Sequence, residues 1–174
     1  MMFGLTEIIN FVGTAAALCI ATGSGTNLPP ERAEFACTVA PTIVLEARRQ
    51  NLPPARVAAL IWVESRFNPQ AKSRAGACGL TQVIPRWSID RRTGQRWTCA
   101  ELMEPHESIR VGTRMLRHMT DRYARSDERV GLCYYNAGNS CLRDRRWARR
   151  MSYVRKVLSM QSRIERANTT RWPL

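Results

Sequence analysis

From Ala33 onward, apolar residues recur every three or four positions and no segment alternates with a period of two. A chain patterned this way buries its apolar faces by packing helix on helix. Residues 33–50 place Ala33, Ala36, Cys37, Ala40, Val44 and Ala47 at such spacings, with Pro41 the one expected breaker and Asn51-Leu52-Pro53-Pro54 the stop. Pro54 opens the next helix, 54–65, which carries Val57, Leu60, Ile61 and Glu64 on one side. From Arg66 to Thr98, Gly, Pro, Ser and Asn mark loops and short turns. The helical period returns over 107–124 and 127–135, and a basic segment, 144–167, closes the domain. At 174 residues there is room for one core of ordinary size.

The first 24 residues read differently. Phe3 to Ala21 is mostly apolar, and the Gly- and Pro-containing stretch 25–32 reads as a linker. The segment lacks the positive charge expected ahead of a secretory h-region and carries Glu7 instead. Three readings stay open: a cleaved export signal, a weak membrane anchor, or an ordinary buried helix. The domain itself is then expected over 33–167, with 168–174 as a tail.

Charge and cysteines bound the setting. The net charge is +13 and 25 of the 27 basic residues are Arg, so the surface should attract polyanions. The stretch 142–174 is the densest part, with ten basic residues against Asp144 and Glu165. Nucleic-acid binding is the reading from another class, but no helix-turn-helix, RNP or zinc motif supports it. The six cysteines include no C-x-x-C pair, and His106 and His118 have no metal-ligand cluster around them, so neither metal nor cofactor is expected. Six cysteines point to an oxidising compartment. Fifteen full pairings are open to them, among which Cys133 with Cys141 would clamp one turn and Cys78 with Cys99 would cross the loop that carries Trp87 and Trp97; a removed or membrane-held Cys19 would leave an odd number behind.

Chemistry-bearing residues fall into three blocks. In Trp62-Val63-Glu64-Ser65-Arg66-Phe67-Asn68-Pro69, a carboxyl at the end of an apolar helix is poorly solvated, which favours its neutral form and suits a general acid. The bland alternative is a helix-end Glu paired to Arg66. In Ser73 to Gln82, Gly76 and Gly79 permit tight turns, and Gln82 offers an amide donor and acceptor. In Cys133-Tyr134-Tyr135-Asn136-Ala137-Gly138-Asn139, a helix ends in a polar turn that presents a ring beside an amide.

The ordered set Glu64-Ser65, Phe67 and Pro69, then Ser73, Gly76-Ala77 and Gly79-Leu80-Thr81-Gln82, then Tyr135-Asn136-Ala137-Gly138 resembles the soluble lytic transglycosylase domain over about residues 33–160. The resemblance implies a mainly α, lysozyme-like (goose-type) fold and cleavage of the β-1,4 bond between N-acetylmuramic acid and N-acetylglucosamine, with a 1,6-anhydro product. It implies Glu64 as the single catalytic acid and base, with Ser73, Gln82, Tyr135 and Asn136 holding the sugar. Tyr153 matches the family's C-terminal tyrosine near the catalytic carboxyl. Thr81 stands where Met is common, and should alter only packing; Arg149 stands where the family often has Glu. A hydrolytic muramidase and a non-catalytic wall-binding protein are the rivals. The expected partner is peptidoglycan, met by a monomer, with further contact to an anionic envelope or membrane through the basic surface. An exported enzyme of phage lysis or wall penetration, acting in the periplasm and envelope or carried on a virion, is the expected setting, with a secretion or conjugation apparatus as the alternative.

Overall fold

The structure, a computed structural model, describes residues 5–90 and 93–169. Among the described residues nine α-helices and one 3-10 turn make up the regular structure: α1 Leu5–Gly25, α2 Pro30–Arg49, α3 Pro54–Ser65, the 3-10 turn Pro85–Trp87, α4 Cys99–Met103, α5 Pro105–Arg122, α6 Glu128–Ala137, α7 Ser140–Arg143, α8 Arg145–Arg150 and α9 Ser152–Thr169. Among the described residues only isolated β-bridges occur, Lys72 to Cys78, Cys78 to Val83 and Ile89 to Arg96. Pro30, Pro54 and Pro105 each occupy the first helical position, where the missing N–H is one that no helical carbonyl would have met.

Helix α3 is the central strut. Val57 to Ile61 are fully buried, five residues in succession, so the helix is covered on every side. It packs against α9 and α2, while α6 packs against α5, α8 and α9. Buried Arg56 ties three of these elements together, donating to Glu128 on α6 at 2.9 Å and to Gln161 on α9. A smaller core of Cys78, Val83, Trp97, Leu102 and Val111 lies beneath the 66–98 loop region. The Cys78–Cys99 disulfide staples that region to the start of α4.

Two expectations need correction. Pro41 does not break its helix: α2 runs through it with the ring on the exposed face, forfeiting the one hydrogen bond that an N–H there would give to the Cys37 carbonyl. The connection expected over 25–32 is shorter, 26–29, because Gly25 ends α1 and Pro30-Glu31-Arg32 is the first turn of α2. Helix α1 packs on α2 and α9 through Ala15, Leu18 and Ala21, and Gly25 lies so close to α9 that a Cβ there would be 3.2 Å from the Arg163 carbonyl oxygen. Its outer face exposes Val12 and Ile20. Among the described residues no helix is long and apolar enough to cross a membrane. The first four residues of the expected address segment, and 170–174 of the expected tail, lie outside the described residues; Asn168 and Thr169 continue α9.

All six cysteines are paired. Cys78–Cys99 and Cys133–Cys141 form as the sequence suggests, and Cys19 bonds Cys37, joining α1 to α2. With Cys19 in place no thiol is left over. Each bridge closes a loop of 8 to 21 residues, the range in which a cross-link removes about 2–4 kcal/mol of freedom from the unfolded chain.

Candidate active site

Glu64 sits in the last turn of α3, and the chain turns sharply just beyond it. Arg66 and Phe67 both adopt left-handed backbone conformations, with φ of 54° and 56°. Two consecutive non-glycine residues there cost roughly 1–2 kcal/mol each. The conformation persists because Phe67 is fully buried and because the Arg32 guanidinium donates to the Arg66 carbonyl at 3.2 Å. The Arg66 side chain does not reach back to Glu64. Its guanidinium lies over the Trp62 ring, 3.4 Å from the centroid.

The Glu64 carboxyl is held by Tyr153 of α9, whose hydroxyl donates to Oε1. Burial raises the carboxyl's pKa to about 7, against a smaller lowering by that hydrogen bond. Among the described residues no other carboxylate contributes to the shift. Burial and the proximity of Glu64 push both the Tyr153 and Tyr135 hydroxyls well above the usual phenol range, so both stay protonated donors. Three groups from α3, α6 and α9 thus converge: one carboxyl that changes charge near neutrality, and two phenols that do not.

The glycine-bearing loop is built onto this frame. Gly79 has φ of +76°, and a Cβ there would lie 1.7 Å from the Leu102 carbonyl oxygen. Fully buried Thr81 donates through Oγ1 to the Ser108 carbonyl of α5 at 2.8 Å, and its own carbonyl accepts from the Tyr135 hydroxyl at 2.8 Å. Thr81 thus links α5, the loop and α6 by hydrogen bonds, a larger role than packing alone. Gly112 of α5 makes room for it, since a Cβ there would meet the Thr81 side chain at 2.3 Å. A glycine inside a strongly amphipathic helix was the available sign of this close approach.

The other expected site residues differ in what they can offer. Gln82 donates both amide hydrogens within its loop, to the Ala71 carbonyl at 3.0 Å and the Gly79 carbonyl at 2.9 Å, which leaves Oε1 as its unused polar atom. Ser73 accepts from the Ala77 N–H at 3.0 Å, closing its turn and leaving the hydroxyl proton to donate. Tyr135 is half-buried, and its hydroxyl is committed to Thr81. Asn136 is exposed in the last turn of α6, just before the Cys133–Cys141 bridge closes over the Ala137-Gly138 turn. Arg149 pairs with Asp127 at 2.5 Å; Asp127 also caps α6 through the N–H groups of Arg129 and Val130. The cation at 149 therefore steadies the start of the helix that carries Tyr135 and Asn136.

Residues 42–155 match the sequence profile of the Transglycosylase SLT domain. The transglycosylase of Enterobacteria phage PRD1 is 31% identical over 118 residues, covering 67% of this chain and 40% of that protein. The membrane-bound lytic murein transglycosylase C of Actinobacillus pleuropneumoniae serotype 5b is 36% identical over 88 residues, covering 48% of this chain and 24% of that protein. The chain thus spans well under half the length of these relatives. Among solved structures, an inactive Glu-to-Gln mutant of the lytic transglycosylase Slt from Pseudomonas aeruginosa superposes with a TM-score of 0.62 at 24% identity, over 72% of this chain and 23% of that one. At that identity the superposition establishes the lysozyme-like helical fold.

Proposed function

The chain belongs to the Transglycosylase SLT domain family, and from that membership we propose that it is a peptidoglycan lytic transglycosylase acting through Glu64. The observation that carries the reading is the Glu64 carboxyl itself. It is largely removed from water, poised at about 7 and bonded to Tyr153, and among the described residues no second carboxylate contributes to that shift. A glycosidase that uses water or a protein nucleophile ordinarily needs a second acid at a set separation. A sugar that supplies its own nucleophiles does not.

In the first step Glu64 gives its proton to the glycosidic oxygen as the bond from C1 of N-acetylmuramic acid breaks. The N-acetyl oxygen of the same sugar closes on C1. Glu64, now a carboxylate, takes the proton of the 6-hydroxyl, whose oxygen displaces the N-acetyl group and leaves the 1,6-anhydro ring. The acid is restored and no water is consumed. A group with pKa near the working pH serves both steps. Tyr153 is a positioning residue that holds the carboxyl and favours its charged form between the steps. Ser73, the Oε1 atom of Gln82, and Asn136 bind the sugar, while Tyr135 holds the glycine loop against α6 and offers its ring.

The substrate polymer places the protein's work in the cell envelope, where its net charge of +13 favours approach to an anionic wall. The phage relative supports a lysis or wall-penetrating setting.

Two measurements follow from the proton on Glu64. The substrate-free enzyme must carry it, so kcat/KM should fall as pH rises through about 7, with about a tenth of the maximum left one pH unit above. A rate that climbs steadily through that range would exclude Glu64 as the acid. In Tyr153→Phe the hydrogen bond that favours the carboxylate is gone, so the falling limb should move to higher pH. An unmoved limb would show that the bond is absent in the working enzyme.

A further inference from the structure

Glu64 is the last residue but one of α3, so the turn that follows bears on where its carboxyl points. That turn is held in part from outside. Arg66 and Phe67 take their left-handed conformations although neither is glycine. Within the turn, the Arg66 N–H donates to the Trp62 carbonyl at 3.1 Å and the Asn68 N–H to the Ser65 carbonyl at 3.0 Å. The Arg66 carbonyl takes its bond from another helix. Nη1 of Arg32, in the first turn of α2, donates to it at 3.2 Å and to the Ser65 carbonyl at 3.4 Å.

Arg32 differs from the arginines that brace the rest of the fold. Arg49, Arg56, Arg110, Arg117 and Arg149 each pair with a carboxylate. Among the described residues Arg32 has no carboxylate within ion-pair distance, and its hydrogen bonds both go to main-chain carbonyls, 33 and 34 residues further along the chain. A cation at that end of α3 also meets the partial negative charge of the helix's last carbonyls. The base of Arg32 is itself fixed. The Pro29 carbonyl accepts from the N–H groups of Arg32 and Ala33, and the Cys19–Cys37 bridge ties the next turn of α2 to α1. The residues that match the family profile begin at 42, so α1 and the start of α2 stand ahead of them. A part of the chain outside the matched residues thus braces the turn beyond Glu64.

We propose that Arg32 is a positioning residue of the reaction: by holding the two carbonyls of this turn, it keeps the Glu64 carboxyl in the buried place beside Tyr153 from which it protonates the glycosidic oxygen. The proposal rests on Glu64 being the catalytic acid. It gives α1 and the start of α2 a share in the active site, since they set where Arg32 stands. A reacting group misplaced by about 1 Å loses on the order of 10²-fold in rate, so a brace that reaches only the backbone has a large lever.

Positioning and direct charge have opposite signs at Glu64. The titratable groups facing its carboxyl are Tyr153 of α9 and Tyr135 of α6, both protonated; the Arg66 guanidinium lies on Trp62, and Arg32 of α2 reaches main chain only. Burial is what raises the carboxyl's pKa, and among the described residues no cation contributes to the shift. Removing a nearby positive charge would raise that pKa further. Releasing the turn instead lets water reach the carboxyl and lowers it towards the ordinary 4.5.

The test compares the full unaltered chain with Arg32→Ala, Arg32→Lys and a control, Arg48→Ala, which removes bonds from the other end of α2 to Asn10 and Thr14 of α1. Thermal melts verify that each is folded. On soluble glycan strands Arg32→Ala should lower kcat about tenfold or more with KM within about twofold. Arg32→Lys should recover part of the loss, because it keeps a charged donor at the helix end, and Arg48→Ala should keep the full rate. The Glu64 carboxyl carbon is titrated in parallel by NMR, its signal assigned by Glu64→Gln. Its pKa should be about 7 in the unaltered chain and about one pH unit lower in Arg32→Ala. Three outcomes overturn the proposal: an unchanged kcat in Arg32→Ala, an equal loss in Arg48→Ala, or a Glu64 titration that stays in place or moves up. If Arg32→Ala does not fold, Arg32→Gln, too short to reach both carbonyls, decides by the same two readings. Failure of the transglycosylase reading shows separately, as an unaltered chain that releases no anhydro-sugar product while the Glu64 titration still falls in Arg32→Ala.

Discussion

Glu64→Gln is expected to lower muralytic activity by about 10³-fold or more while leaving a folded and, above neutral pH, more stable protein. Removing a general acid commonly costs about 10²–10⁴-fold, and here one group is asked to serve as both acid and base. The stability effect has the opposite direction. Glu64 holds its proton up to about pH 7 in the fold but only to 4.5 in the unfolded chain. Between those values the native state binds more protons, so stability falls as pH rises, by roughly 3 kcal/mol in all, and levels off above 7. Glutamine has no charge to desolvate and escapes that loss. Thermal melts of both proteins from pH 4 to 8 should diverge as pH rises, with the variant the more stable. Parallel curves would mean that the carboxyl is better solvated than its surroundings indicate.

The second large effect lies away from the reacting bond. Gly79→Ala should destabilise the protein by about 3 kcal/mol or more. A left-handed residue that gains a Cβ costs roughly 1–2 kcal/mol on backbone grounds. Here the new atom also lands 1.7 Å from a carbonyl oxygen and 2.7 Å from the Ser108 hydroxyl. A backbone oxygen cannot swing aside, so the loop or α4 must move. The loop carries Thr81 and Gln82, so its displacement also removes the carbonyl that accepts from Tyr135. Urea titration measures the stability loss. Gly76→Ala is the control, because Gly76 also has positive φ but open space around its missing Cβ, and it should show the backbone cost alone.

These two residues also mark what was legible in the sequence. The helical class and the 54–65 helix with Glu64 at its end follow from spacing, because each depends on residues close together in the chain; the pairings Cys78–Cys99 and Cys133–Cys141 were two among fifteen open combinations until the fold brought the sulfurs together. The lysozyme-like fold came through the three ordered blocks. What escaped was set by distant contacts. Thr81 looks like a packing variant until Ser108 and Tyr135 are seen beside it, and Arg149 looks like a lost acid until Asp127 appears opposite. Gln82 reads as a sugar ligand with donors to spare, yet its donors close its own loop. The first helix admits three readings from sequence because apolar composition alone does not distinguish an address from a core element; its docked face and its disulfide to Cys37 are tertiary facts that the composition does not carry.

The central claim is that a single carboxyl cleaves a wall glycan by letting the sugar attack itself, and the products test it most directly. Intact peptidoglycan digested with the purified protein and resolved by mass spectrometry should yield muropeptides ending in 1,6-anhydro-N-acetylmuramic acid, each lighter by one water than its hydrolysed counterpart. Digestion in heavy-oxygen water should leave those ends unlabelled. Reducing ends that carry the solvent's oxygen would instead identify a hydrolase and contradict the one-carboxylate mechanism proposed for Glu64.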